Sequence, residues 1–311
     1  MELNIINLFN AMPGACAQGL IWGIMAIGVY ITYKILDLAD LTVDGTMCTG
    51  GAVCVVMILN GFPVWISLLF AFLAGVIAGL VTGLLHTAMG IPAILAGILT
   101  QLGLYSINLR IMGGKANQAL NVDKYDLLVS LRYIKGVPIS QNTILVAAVL
   151  ALLLIGILYW FFGTELGCAI RATGSNSNMS RAQGINTDRM KIFGLTLSSG
   201  IVAFASGLYA QYQGFSEINA GRGAIVIGLA AVIIGEVIFG KISPNFAFKL
   251  LSVVLGAIIY YLVLQVVLWL GLNSNDLKLL SAVVVAVFLA VPYMKGRYFS
   301  KPVKKGGGSH A

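Results

Sequence analysis

Nine stretches of this chain are apolar over lengths near the roughly 20 residues that carry an α-helix across a bilayer, and this constrains the fold more than any other feature. They run from Ala11 to Tyr33, Thr42 to Leu59, Phe62 to His86, Ile91 to Met112, Asn142 to Phe162, Ile192 to Tyr212, Ala224 to Phe239, Phe246 to Leu272 and Leu277 to Met294. Only 10% of the residues are charged while 59% are hydrophobic, against about 25% charged in soluble domains, so a soluble fold is excluded. The expectation is an all-α polytopic membrane protein of about nine to ten transmembrane helices, some of them discontinuous. One permease-sized membrane domain spans 1–294, and a basic tail, 295–311, becomes linker-like from Gly306. The N-terminus lacks a basic n-region, so the first span is expected to be retained.

Two places interrupt the helical pattern. In KILDLADLTVDG, Lys34 to Gly45, three acids precede a glycine-rich apolar run. An aspartate at the centre of a span costs about 2.5 to 3.5 kcal/mol on insertion scales, so Asp44, the acid deepest toward that run, must face protein, water or a cation. Asp40, Thr42 and Asp44 therefore become candidates for a translocation pathway, at the first turn of a half-helix as in discontinuous transporter helices. An ordinary helix start explains the same acids. The second interruption is GIPAI at Gly90 to Ile94, where Pro92 suits a first turn but not a helix interior. Beyond it Gln101 and Asn108 are seven residues apart and share a face. They either line a polar path or bond between helices.

One long polar segment, 164–191, separates two apolar spans and carries Arg171, Arg181, Arg189 and Lys191 against Glu165 and Asp188. Basic residues close to membrane ends mark the cytoplasmic side. Asn176 or Ser177 can cap a short helix through Ala182, Gly184 can close it in the left-handed conformation, and Asn186 or Thr187 can cap the next span with Asp188 in its first turn. Asn176, Ser177, Asn178, Met179, Arg181 and Gly184 thus form a candidate coupling surface for a separate motor, with Arg181 facing it. A loop that only maintains topology is the competing reading.

The net charge of +8 does not point to nucleic acid, because its basic residues cluster at membrane ends: Lys295, Arg297, Lys301, Lys304 and Lys305 follow the last span, and Lys241 and Lys249 flank a short connection. Counting back from a cytoplasmic C-terminus puts the N-terminus outside. The stretch from Gly113 to Gln141 also falls outside, despite its own basic residues. Glu236 reads as a gate or ion-pair residue, or as an acid snorkelling toward Lys241. At the outer side Gln211, Gln213, Glu217 and Arg222 await a solute or a delivering protein, or are simply solvated. Cys16, Cys48, Cys54 and Cys168 lack metal-site spacing and the two histidines are isolated, so no metal site is expected. Glycines at spacing four, Gly75, Gly79 and Gly83 in the third span and Gly19 and Gly23 in the first, let helix backbones approach closely.

These residues carry a family resemblance. GLIWGIMAIGV at Gly19 to Val29, DLTVDG at Asp40 to Gly45, and GCAIRATGSN followed by GINTDR are similar to the membrane permeases of the branched-chain amino acid and ribose ABC-importer superfamily. INLRIMGG and AQYQGF resemble a subgroup named for tryptophan or tyrosine. The resemblance runs from about Ala17 to Pro292. It implies a fold of the cobalamin-importer type, a permease dimer, two cytoplasmic ATPase subunits and an extracytoplasmic binding protein in a bacterial cell membrane. It also implies a coupling helix over Asn176 to Gly184 and a central cavity near Asp40 to Gly45. The chain contains no G-x-x-x-x-G-K-[ST] phosphate loop, so no cofactor is expected on it, and ATP and Mg belong to the partner ATPase. Gln213, Glu217 and Arg222 become the docking candidates for the binding protein. An ion-coupled secondary transporter and a non-transporting receptor are the alternatives.

Overall fold

The computed structural model describes residues 5–122, 124–134, 142–240, 242–243, 245–270, 276, 279, 281–287 and 290. Ten helices and one small ribbon are found among them. The order is α1 (Ile5–Tyr30), a π-helical turn (Ile31–Ile35), α2 (Thr42–Leu59), α3 (Val64–Thr87), α4 (Ala93–Ile111), β1 (Asn117–Ala119), a 3-10 turn (Leu131–Ile134), α5 (Thr143–Phe162), α6 (Glu165–Ser175), α7 (Ser177–Ala182), α8 (Thr187–Gln213), β2 (Phe215–Glu217), α9 (Ala224–Phe239) and α10 (Phe246–Trp269). Seven helices among the described residues are long and apolar enough to cross a membrane: α1 with its π-turn, α2, α3, α4, α5, α8 and α10. The seventh expected span, α9, has 16 residues and so extends only about 24 Å. Half of the ninth, Leu277 to Met294, lies outside the described residues, as do Lys241 and the tail; it is helical over 281–287.

α1, α2 and α8 form the buried centre of the bundle, while α4 and α5 are mostly exposed. The glycine spacing seen in the sequence does what close packing requires. A Cβ added at Gly79 would lie 2.6 Å from the Leu195 carbonyl of α8, and one at Gly19 would lie 2.7 Å from Ile258 Cα of α10. α3 on α8 and α1 on α10 are accordingly the most extensive helix pairs.

β1 follows α4, β2 follows α8, and the two pair antiparallel with Asn117 opposite Glu217. The ends of α4 and α8 therefore lie on one side. The polar segment enters α8 at its other end, 27 residues away, or about 40 Å at 1.5 Å per residue. The connection after α4 is thus opposite the polar segment, as expected despite its basic residues. It packs down through buried Leu120, Leu127 and Val129, with Leu120 N–H donating to the Gly214 carbonyl at 2.8 Å.

Candidate solute pathway and coupling surface

The chain breaks helix between α1 and α2 by a sequence of local devices. Leu36 N–H reaches back to the Ile31 carbonyl and Leu38 N–H to the Thr32 carbonyl, both at 3.0 Å. Asp37 then adopts φ +54°, a left-handed conformation that aspartate tolerates better than most residues. Asp40 ends the break, its Oδ1 accepting the Thr42 N–H at 2.9 Å. Thr42 bonds Thr82 of α3 at 2.8 Å, and Thr82 bonds Thr100 of α4 at 2.9 Å. Those two threonines lie five residues from the end of α3 and seven from the start of α4. The first turn of α2 consequently starts about 8 to 10 Å inside the helix ends. α2 therefore begins inside the bundle rather than at its end.

Asp44, in that first turn, reaches across to α9. Its Oδ2 accepts the Gly223 N–H and its Oδ1 the Ile225 N–H, each at 3.0 Å. α9 has no capping side chain of its own, since its N-cap is Gly223 at φ +86°. A carboxylate from another helix therefore satisfies its orphan amides and sits at the positive end of its dipole. Gly221 packs against the Asp44 carbonyl so closely that a Cβ would collide with it. Cys48, one turn beyond Asp44, donates to the Ile218 carbonyl at 3.1 Å and accepts the Gly221 N–H at 3.2 Å. The start of α9 is fastened to α2 from both sides.

A cavity of about 270 Å³ opens beside this junction, lined by Asp44, Gly45, Cys48, Gln101, Leu102, Tyr105, Asn108, Ile218 and Arg222. Three of the pathway candidates, Asp44, Gln101 and Asn108, meet there. Asp40 and Thr42 do not line it. Asp40 is 3% exposed and its Oδ2 is buried without a partner, so Asp40, rather than Asp44, has the least access to water. Arg222, expected on an outer docking rim, is exposed and also lines this cavity. Asn108 is 1% exposed and neither polar atom of its amide has a partner. Cys48 and Tyr105 escaped the sequence reading, although each lies four residues from a candidate, Asp44 and Gln101, and so on the same helix face. Leu102 and Tyr105 are 64% and 45% exposed, so the cavity opens on the protomer's flank.

The other outer candidates have local roles. Gln213 donates to the Tyr209 hydroxyl at 2.7 Å, and Glu217 ends β2. Gln211 is fully buried and accepts the Leu128 N–H at 3.2 Å, which corrects its placement on the rim.

The polar segment has the expected architecture. Asn176 caps α7 by accepting the Met179 N–H at 3.0 Å, and Asn186 caps α8 by accepting the Arg189 N–H at 3.1 Å. Gly184 follows α7 at φ +84°. Arg181 also has partners within the segment: its Nε donates to Thr187 Oγ1 at 2.7 Å and a terminal nitrogen pairs with Asp188 at 2.8 Å, while its side chain stays 60% exposed. It clamps α7 to the first turn of α8. Asn178 is exposed and Met179 is 58% exposed, so a neutral, partly apolar tip is presented. Glu236 near the end of α9 does form an ion pair, but its partner is Lys34 in the π-turn at 2.8 Å. Lys241, the expected partner, is outside the described residues.

Residues 12–292 match the family described as branched-chain amino acid transport system / permease component. The chain belongs to that permease family. Its members are transport permeases rather than enzymes, and this chain is a multi-pass membrane protein of that kind. It is 40% identical to a tyrosine transport system permease protein of Clostridioides difficile over 273 residues, 88% of each chain. It is also 35% identical to the autoinducer 2 import system permease protein LsrC of Yersinia pseudotuberculosis over 189 residues, 60% of this chain and 51% of that one. The solved structure of PsaBC from Streptococcus pneumoniae superposes with a TM-score of 0.55 at 16% identity, covering 95% of this chain and 99% of the other. At that identity the likeness concerns the fold alone.

Proposed function

We propose that this permease is the membrane subunit of a binding-protein-dependent ABC importer for an amino acid, and that solute passes the cavity between α2, α4 and the start of α9. The observation that carries this reading is that Asp44, Arg222 and the unpartnered Asn108 amide line one small cavity. A carboxylate, a guanidinium and an amide suit the ammonium and carboxylate of a zwitterion. The 40% identical tyrosine permease supports an aromatic or branched-chain amino acid.

The cavity's flank position also supports a homodimer. Two charged side chains opening toward lipid would cost several kcal/mol, and a second copy covering α4 removes that cost. On this reading two ATPase subunits dock on α6 and α7 and a binding protein docks above the ribbon. The chain lies in a bacterial cell membrane with its N-terminus outside and its C-terminus in the cytoplasm, in a nine- to ten-span arrangement of the cobalamin-importer type. Reconstitution in sealed vesicles tests the proposal. Amino acid uptake should require ATP, the ATPase and the binding protein; uptake by the chain alone on an ion gradient would replace this reading with secondary transport. Mass measurement in detergent should give two copies of this chain.

A further inference from the structure

A second cavity, of about 580 Å³, lies where the end of α5 meets α6 and the start of α10. Its lining includes Tyr159, Trp160, Thr164, Arg171, Asn245 and Lys249, and it contains two cations and no carboxylate. Neither cation is neutralised by an ion pair among the described residues, where the pairs are Lys34–Glu236 and Arg181–Asp188. Arg171 is held over the Phe246 ring at 5.3 Å to the centroid, which aims a guanidinium at the pocket while its plane rests on an aromatic face.

The pocket's level is fixed by the fold. α6 belongs to the polar segment at one face of the bundle, so the cavity lies at that membrane boundary. Trp160 is 72% and Tyr159 51% exposed, and such rings collect at the headgroup level. Away from the pocket α5 exposes Leu152, Leu153 and Ile157, an apolar track running into the bilayer.

We propose that this cavity binds the phosphate headgroup of an anionic phospholipid from the leaflet on the α6–α7 side, with Arg171 and Lys249 on the phosphate and the acyl chains along Leu153 and Ile157. Basic pockets between transmembrane helices bind such headgroups. The site is distinct from the solute cavity and its occupancy does not depend on what is transported.

The test is native mass spectrometry of the full chain in detergent, titrated with phosphatidylglycerol, phosphatidylcholine or inorganic phosphate. Wild type should retain phosphatidylglycerol in preference to phosphatidylcholine. Each basic group near an anionic surface contributes about 1 kcal/mol, so Arg171→Gln and Lys249→Gln should each weaken retention about five-fold and the double variant about thirty-fold. Lys249→Arg should retain it, and Lys115→Gln, on the opposite face, should match wild type. The single variants decide the matter if the double variant does not fold. Wild-type retention by both single variants overturns the proposal. Inorganic phosphate that binds as tightly as the lipid, and is lost in the same variants, overturns the lipid assignment in favour of a soluble anion.

Discussion

Replacing Asp44 by Asn separates the charge of this residue from its shape. In the structure each carboxylate oxygen accepts one backbone N–H at the start of α9, from Gly223 and Ile225. An asparagine has a single accepting oxygen, so one amide loses its partner and the other exchanges a charged acceptor for a neutral one. Hydrogen bonds to charged groups contribute about 1.5 to 3 kcal/mol and neutral ones about 0.5 to 1.5. The loss of one bond and weakening of the other should therefore total about 2.5 to 4.5 kcal/mol at the α9 N-terminus. Hydrogen exchange followed by mass spectrometry reads this directly. At about 2.5 kcal/mol, the lower end, exchange in a peptide covering Gly221 to Val226 should speed up roughly seventy-fold if it proceeds by local opening. Transport should fall as well, since the same carboxylate lines the solute cavity. Asp37→Asn is the control, because Asp37 is exposed and takes no part in that junction. Unchanged exchange in the Asp44→Asn variant would refute the capping argument, and transport equal to wild type would remove Asp44 from the pathway.

Further variants have expected outcomes of their own. Gly184→Ala places a Cβ at φ +84°, costing roughly 1 to 2 kcal/mol; it should insert normally yet weaken ATPase association in a pull-down from membranes. Met179→Asp, at an exposed and unpaired position, should do the same without altering thermal stability, whereas Arg181→Glu should also lower stability because it breaks the clamp to Thr187 and Asp188. Gly79→Leu should prevent α3 from seating on α8 and abolish recovery of folded protein in a detergent size-exclusion assay. Arg222→Gln should reduce uptake while leaving binding-protein association intact, because Arg222 lines the cavity; lost association would return it to the docking surface.

What the sequence disclosed follows from the range of the forces involved. Caps and left-handed closures are set by neighbours within a few residues, and Asn176, Gly184 and Asn186 could each be read in place. The glycines at spacing four were legible because close helix approach has few alternatives in lipid, even though nothing in the pattern said that α3 would meet α8 rather than another helix. The contacts of Arg181 were not legible, because only the fold of the segment brings Thr187 and Asp188 within its reach.

Asp44 shows the limit most clearly. The apolar run after it demanded a partner for its carboxylate, so its importance was visible, but the partner is a set of backbone amides 179 and 181 residues away. Backbone donors carry no side-chain signature, and a glycine at an N-cap, here Gly223, is the one capping residue that leaves no oxygen to betray the start of a helix. The two anomalies are complementary: an acid in an apolar stretch without a cation in sequence, and an apolar helix, α9, without a cap. In a membrane protein, where neither defect can be repaired by water, each is grounds for expecting the other nearby. That pairing brings Arg222 into the cavity, because the residue just before Gly223 must follow the helix start to wherever its cap resides.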